Sequence, residues 1–196
     1  MSRRMLVIGA IATLAIAGGW WLAARVSSRR TSAAQARPTT PAGTTVPADA
    51  RKITATLYFV SEDGMALVGV QREVPFGETV LDQARQIVTS QLAVAPGPLV
   101  SAIPSETTLR ALYLTERGDA FVDLSADART RHTGGALDEL FTVYAIVNAL
   151  TTNLPAVKRV QILIEGKEVD TLAGHVDLRH PLQKNLKWVK TEKGDT

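Results

Sequence analysis

The stretch from Gly134 to Gly166 constrains this chain most. It reads GGALDELFTVYAIVNALTTNLPAVKRVQILIEG. Leu137, Leu140, Phe141, Tyr144, Val147 and Leu150 recur at helical spacing, with Val143, Ile146 and Ala149 beside them. A helix apolar nearly all round belongs inside a domain, where both sides are covered. It spans Ala136 to about Asn153 and stops ahead of Pro155, because proline disfavours helix at the residue before it. An alternating strand follows over Arg159–Glu165, with Val160, Ile162 and Ile164 on one face. Whatever else folds must pack around this helix-strand pair.

The preceding residues supply the layers to do so. Ile53, Ala55, Leu57 and Phe59 alternate with Thr54, Thr56 and Tyr58, the pattern of a half-buried strand. Asp63-Gly64 turns the chain into a second strand, Ala66–Val74, which Pro75 ends. Thr79–Leu92 reads as a helix with Thr79 and Asp82 in a capping box. A second hairpin follows, Leu109–Leu114 and Ala120–Leu124, turned at Arg117-Gly118, and Glu168–Leu172 reads as a short sixth strand. The order is ββαββαββ, two similar halves. The expected fold class is α+β, a mostly antiparallel sheet with two helices packed on one face.

The first fifty residues differ in kind. Met5–Ala24 is twenty residues without a charge, at 1.5 Å per residue long enough for a hydrocarbon core of roughly 30 Å. Arg3 and Arg4 precede it, Arg25 closes it, and Trp20 and Trp21 sit near its outer end. This predicts a short cytoplasmic tail (1–4) and a transmembrane anchor (5–24) that places the domain outside the cytoplasmic membrane. A cleaved signal peptide with an Ala15-Ile16-Ala17 site is the alternative. Residues 25–50, rich in Ser, Thr, Ala and Pro, read as a disordered linker. The folded domain then runs over 51–182, and 183–196 reads as a basic tail that frays.

Charge follows the same division. Of 22 Lys+Arg and 19 Asp+Glu, the first fifty residues hold six Arg and one acid, Asp49, leaving 16 basic against 18 acidic residues beyond them. The excess of positive charge flanks the apolar segment, so nothing here points to nucleic acid as a partner. There is no cysteine, which excludes disulfides, thiolate metal sites and a lipidated cysteine.

Residues 53–182 resemble the sporulation and spore germination domain known as GerMN. The resemblance rests on Leu57-Tyr58-Phe59 with Asp63-Gly64, on Ile103-Pro104, and on Val122-Asp123-Leu124-Ser125. It is densest at Tyr144–Thr151 and Val160–Ile164 with Gly166, and ends with Gly174-His175-Val176-Asp177-Leu178 and Pro181. The family pattern has Asn-Thr-Leu-Thr where this chain has Asn148-Ala149-Leu150-Thr151. The resemblance implies a non-catalytic, envelope-anchored, extracytoplasmic domain that self-associates or scaffolds other envelope proteins, in spore formation or germination or in envelope assembly. A peptidoglycan-binding module is the alternative, against which the scarcity of aromatics counts (ten in all, two of the Trp in the apolar segment).

No motif of a hydrolase is present, neither G-x-S-x-G nor H-E-x-x-H. No catalytic residue, cofactor or metal is assigned. The polar residues to watch are Asp123, Asn148, Thr151, His175, Asp177 and His180. Asp123 with Asp127 could chelate a hard cation, though such pairs more often cap turns. Ser125 as a nucleophile would need a base, and His132 is nearest. His175, Asp177 and His180 put metal-ligating groups on one loop, against a simple polar loop whose His175 ring bonds backbone. Asn148 and Thr151 on the buried helix read as anchors that fix its position. Asp138 and Glu139 favour the helix dipole. Lys184, Lys187, Lys190 and Lys193 around Trp188 could touch anionic lipid or a wall polymer.

Overall fold

A computed structural model describes residues 51–190. The expected anchor and linker lie outside these residues. Among the described residues no helix is long and apolar enough to cross a membrane.

Strand β1 (Lys52–Val60) pairs antiparallel with β2 (Leu67–Pro75) in unbroken register, Leu57 opposite Val70. Ala55, Leu57 and Phe59 are buried as the alternation requires, and Tyr58 is buried as well. Helix α1 (Val80–Leu92) begins at Thr79, whose hydroxyl accepts from the Asp82 N–H at 3.0 Å and donates to the Asp82 carboxylate at 2.7 Å. That satisfies one of the orphan donors of a helix start. β3 (Leu109–Leu114) and β4 (Asp119–Leu124) form the second hairpin. A four-residue helix, α2 (Asp127–Thr130), then occupies the stretch read from sequence as irregular.

Helix α3 (Ala136–Asn153) keeps the bounds its sequence sets. Phe141, Ile146 and Leu150 are almost wholly buried, and so is every residue from Ala145 to Thr151. Burying each such large side chain is worth about 2 kcal/mol. α3 packs on β1 from one side and on β5 (Arg159–Ile164) from the other, and α1 packs on α3, β1, β2 and β3. The two helices therefore lie against strands of both hairpins and close a single core.

The α+β class holds, but the strands form two sheets. One has the order β1-β2-β8 and the other β3-β4-β5-β6, with β7 also on β5. β6 (Lys167–Glu168), β7 (Leu182–Gln183) and β8 (Val189–Lys190) have two residues each. β4 pairs parallel with β5, and β2 parallel with β8. The first parallel pair follows from α3, because a helical crossover returns the chain to the same end of the sheet. Four of the six residues in each of β4 and β5 are buried and the rest are half-buried, as a largely covered parallel pair requires.

Two further expectations need correction. The sixth strand is shorter than Glu168–Leu172, because the chain beyond Glu168 turns away into a loop bonded to α3. The segment from Gln183 to Lys190 does not fray. β7 and β8 tie it to β5 and β2, and the Asn185 backbone is bonded to α3.

Candidate functional site

The buried polar side chains of α1 and α3 are the least ordinary feature of this domain. An uncapped amide or carboxylate in a core costs several kcal/mol unless each polar atom finds a partner. Here the partners are backbone groups of other segments. Gln91 accepts from the Tyr58 N–H at 2.8 Å and donates to the Tyr58 carbonyl at 2.7 Å. Asn153 does the same to Thr56, at 2.8 Å in each direction. Gln83 bonds the Gly77 N–H and the Pro75 carbonyl. Asn148 donates to the Asn185 carbonyl at 2.8 Å and accepts from its N–H at 2.9 Å. A carboxamide carries a donor and an acceptor side by side, so it can stand in for the strand that a backbone edge lacks.

Glu139 is the charged member of this set. It is wholly buried in the first turn of α3. Its carboxylate accepts from the Leu172 and His175 N–H groups, each at 2.7 Å, and lies 3.1 Å from the His175 Nδ1. Burial pushes its pKa up, but the backbone amides of Ala173, His175, Leu172 and Val176 outweigh that and hold it below the usual glutamate value. The loop after β6 is thus wrapped around one helix carboxylate. Sequence reading assigned Glu139 only to the helix dipole. A hint was available: it falls four residues before Val143 and seven before Ile146, on the same stripe of an apolar helix.

Of the six residues singled out from sequence, Asp123 lies at the end of β4 and accepts from the Gly166 N–H at 2.7 Å. It thereby pins the Glu165-Gly166 turn, where both residues have positive φ (55° and 74°). Arg110 reaches across to it, 3.9 Å away, and bonds Glu165 at 3.0 Å. Thr151 turns its hydroxyl back to the Val147 carbonyl of its own helix, at 2.6 Å. Asp177 is held in a two-point pair by Arg179, at 2.9 and 2.7 Å, which keeps its carboxyl far below the usual aspartate range. His175 faces Glu139, and His180 is exposed. His175, Asp177 and His180 therefore do not converge. Among the described residues no group of three or more metal-ligating side chains does.

Ser125 and His132 are likewise engaged elsewhere. The Ser125 hydroxyl donates to Asp127 at 3.1 Å and accepts from the Thr108 N–H. His132 accepts at Nδ1 from the Gly134 N–H, 3.0 Å away, so the neutral ring carries its proton at Nε2 and offers it to Thr142. Asp127 pairs with Arg131 at 3.2 Å.

With this arrangement in view, known proteins give a consistent answer. The family model Germane, sporulation and spore germination, matches residues 56–170. The chain belongs to this family. Its fold is similar to the first GerMN domain of the sporulation protein GerM from Bacillus subtilis, at 19% identity and a TM-score of 0.53, over 67% of this chain and 97% of that one. The tandem GerMN domains of the same protein match at 20% identity and a TM-score of 0.51, over 69% of this chain and 46% of that one. A Clostridium perfringens chain provisionally described as a lipoprotein matches at 23% identity and a TM-score of 0.49, over 68% of this chain and 88% of that one. No curated protein matches by sequence.

The Germane match ends at residue 170, yet the fold continues. Glu139, Asn148 and Gln161 all reach past that point, to Leu172 and His175, to Asn185, and to the Leu178 carbonyl. The polar side chains of the matched region thus hold the segment that follows it.

The two long sheet edges of this Germane domain differ. The outer edge of β1 is closed, by Asn153 at Thr56, Gln91 at Tyr58, and a bridge from Val100 at Val60. The outer edge of β3 has no such partner among the described residues. Thr115 donates to the Asp119 carbonyl, so by alternation the Leu112 and Leu114 N–H groups point away from β4. Tyr113, 60% exposed, stands on this strand.

Proposed function

We propose that this chain is a non-catalytic interaction module of the cell envelope, a single GerMN-type domain held at the membrane by its N-terminal segment. In this reading residues 5–24 anchor the chain, residues 25–50 tether it, and the domain lies outside the cytoplasmic membrane. It contacts envelope proteins or a second copy of itself. Family membership supports a sporulation- or germination-type role. The absence of catalysis is supported by the commitments of Ser125, His132, Asp123 and Asp127, each bonded to its own fold.

The observation that carries the reading is the contrast between the edges. An unpaired edge strand is a template for another chain, and folds that avoid such pairing block it. Here β1 is blocked three times over while β3 is left with free donors and an exposed tyrosine. β3 is accordingly the contact strand, by strand addition from a partner.

The test is a photo-crosslinking amino acid at Tyr113 of the full chain in cells, with Glu78 as a control position. Adducts specific to Tyr113 are expected, and mass spectrometry of the adduct distinguishes self-association from another envelope protein. Equal labelling at both positions sinks the reading. Retention of the chain on purified peptidoglycan, with no Tyr113 adduct, would favour wall binding instead.

A further inference from the structure

A cleft of about 470 Å³ lies where the β3–β4 turn, the end of α3 and the start of β5 meet. Four cations line it: Arg117, Lys158, Arg159 and Lys184. Thr151 and Val157, both buried, also line it. No carboxylate lines it. Asp119, at the start of β4, grips Arg159 at two points, 2.6 and 2.9 Å. Among the described residues Arg117, Lys158 and Lys184 make no ion pair. Counting Asp119, a net charge of about +3 is left facing one concavity, against roughly half a negative charge from the C-terminal end of α3.

The backbone brings together the segments that carry these cations. The Lys158 N–H donates to the Gly118 carbonyl at 2.8 Å and the Arg159 N–H to the same oxygen at 3.3 Å. Gly118 has φ +88°, and a Cβ there would come within 2.6 Å of the Ala156 carbonyl oxygen. The turn that carries Arg117 is therefore pressed onto the loop that carries Lys158. β7 brings Lys184 to the same opening through its pairing with β5. Like charges gathered in this way repel one another, and an anion relieves the repulsion.

The geometry points to a binding site for a phosphate-bearing anion. Arginine forks and lysine ammonium groups are the side chains that hold phosphate. The volume suits a small ligand rather than a flat bilayer, and pockets for small molecules fall in this range. The cleft borders the β3–β4 turn, but no residue of β3 lines it, so the site does not depend on how that edge is used.

The test is a titration of the full 196-residue chain, kept in an uncharged detergent, followed by amide NMR. The probes are short-chain polyphosphate, inorganic phosphate, and acetate at matched ionic strength. Saturable shifts at Gly118, Lys158 and Arg159 are expected with polyphosphate, weaker ones with phosphate, and none with acetate. The double variant R117S/K158S, which keeps Gly118 and the Asp119–Arg159 pair, should lower polyphosphate affinity at least tenfold with an unchanged spectrum elsewhere. Equal effects of acetate, or shifts spread over all surface cations, overturn the proposal. So do the same saturable shifts, lost in R117S/K158S, when phosphatidylglycerol is added to phosphatidylcholine bicelles carrying the full chain, since a membrane surface would then account for the charge.

Discussion

The Gln91 carboxamide takes both backbone polar groups of Tyr58, its Oε1 2.8 Å from the Tyr58 nitrogen and its Nε2 2.7 Å from the Tyr58 oxygen. Helix α1 is thus bonded to the outer edge of β1 where a neighbouring strand would otherwise be. Gln91→Ala leaves two buried backbone groups without partners, at a cost of about 2–3 kcal/mol. It also reopens the edge. Urea denaturation should show the loss, and light scattering should show concentration-dependent association beyond that of the parent chain. A variant that is destabilised but no more associating would mean that Gln91 guards stability alone.

Glu139 should contribute to the acid side of the stability profile. Its folded pKa lies below the ordinary glutamate value of 4.5. The unfolded chain therefore takes up its proton first as pH falls. The contribution of Glu139 is complete above about pH 4.5 and is lost as pH drops through the folded value. Glu139→Gln keeps the shape but has one acceptor oxygen where Glu139 uses two, one for Leu172 and one for His175. It should cost about 1–3 kcal/mol at neutral pH and flatten the decline below about pH 4.5, measured by urea denaturation as a function of pH. Parallel curves for the two proteins would remove Glu139 from this role.

Asn148 should decide whether the C-terminal segment stays on the domain. Asn148→Leu fills the space but abandons the Asn185 N–H and carbonyl. Hydrogen exchange at residues 183–190 should rise well above that of β5, and global stability should fall by about 1–3 kcal/mol. Exchange unchanged at this segment would show that β7 and β8 hold it without Asn148.

Gly118 should tolerate no side chain. Gly118→Ala sets a left-handed φ against a Cβ and drives that carbon into the Ala156 carbonyl. A loss of about 1–3 kcal/mol is expected. The backbone has to shift for the chain to fold, so the Lys158 and Arg159 amide resonances should move even without ligand. A fully stable G118A with unmoved resonances would contradict the packing described for this turn.

Much of this domain is readable from residue order because the signals are local. The helix from Ala136 to Asn153 is fixed by an unbroken apolar period and by Pro155, and both hairpins by alternation around Asp63-Gly64 and Arg117-Gly118. The family could be read from motifs lying on those same elements. Partnership between elements was not readable, because it depends on which edges are already occupied. Gln91 and Asn153 close β1 from helices 33 and 97 residues away in sequence, so β3 cannot join β1 and a second sheet forms. Residues 182–190 carry two-residue strands with no period of their own. The Asn148 amide, 37 residues upstream, the strands they meet, the Lys190–Asp63 pair and the packing of Trp188 on the core give them order. The polar residues behave alike: composition marked Asp123, Asn148 and His175, but a buried Glu139 or a cleft of four cations exists only once distant turns are pressed together. The sequence by itself determined the elements, the core helix and the family. The tertiary structure decided the sheet pairing, the closed and open edges and the charged cleft, because hydrogen bonds and charges act on neighbours in space, whatever their distance along the chain.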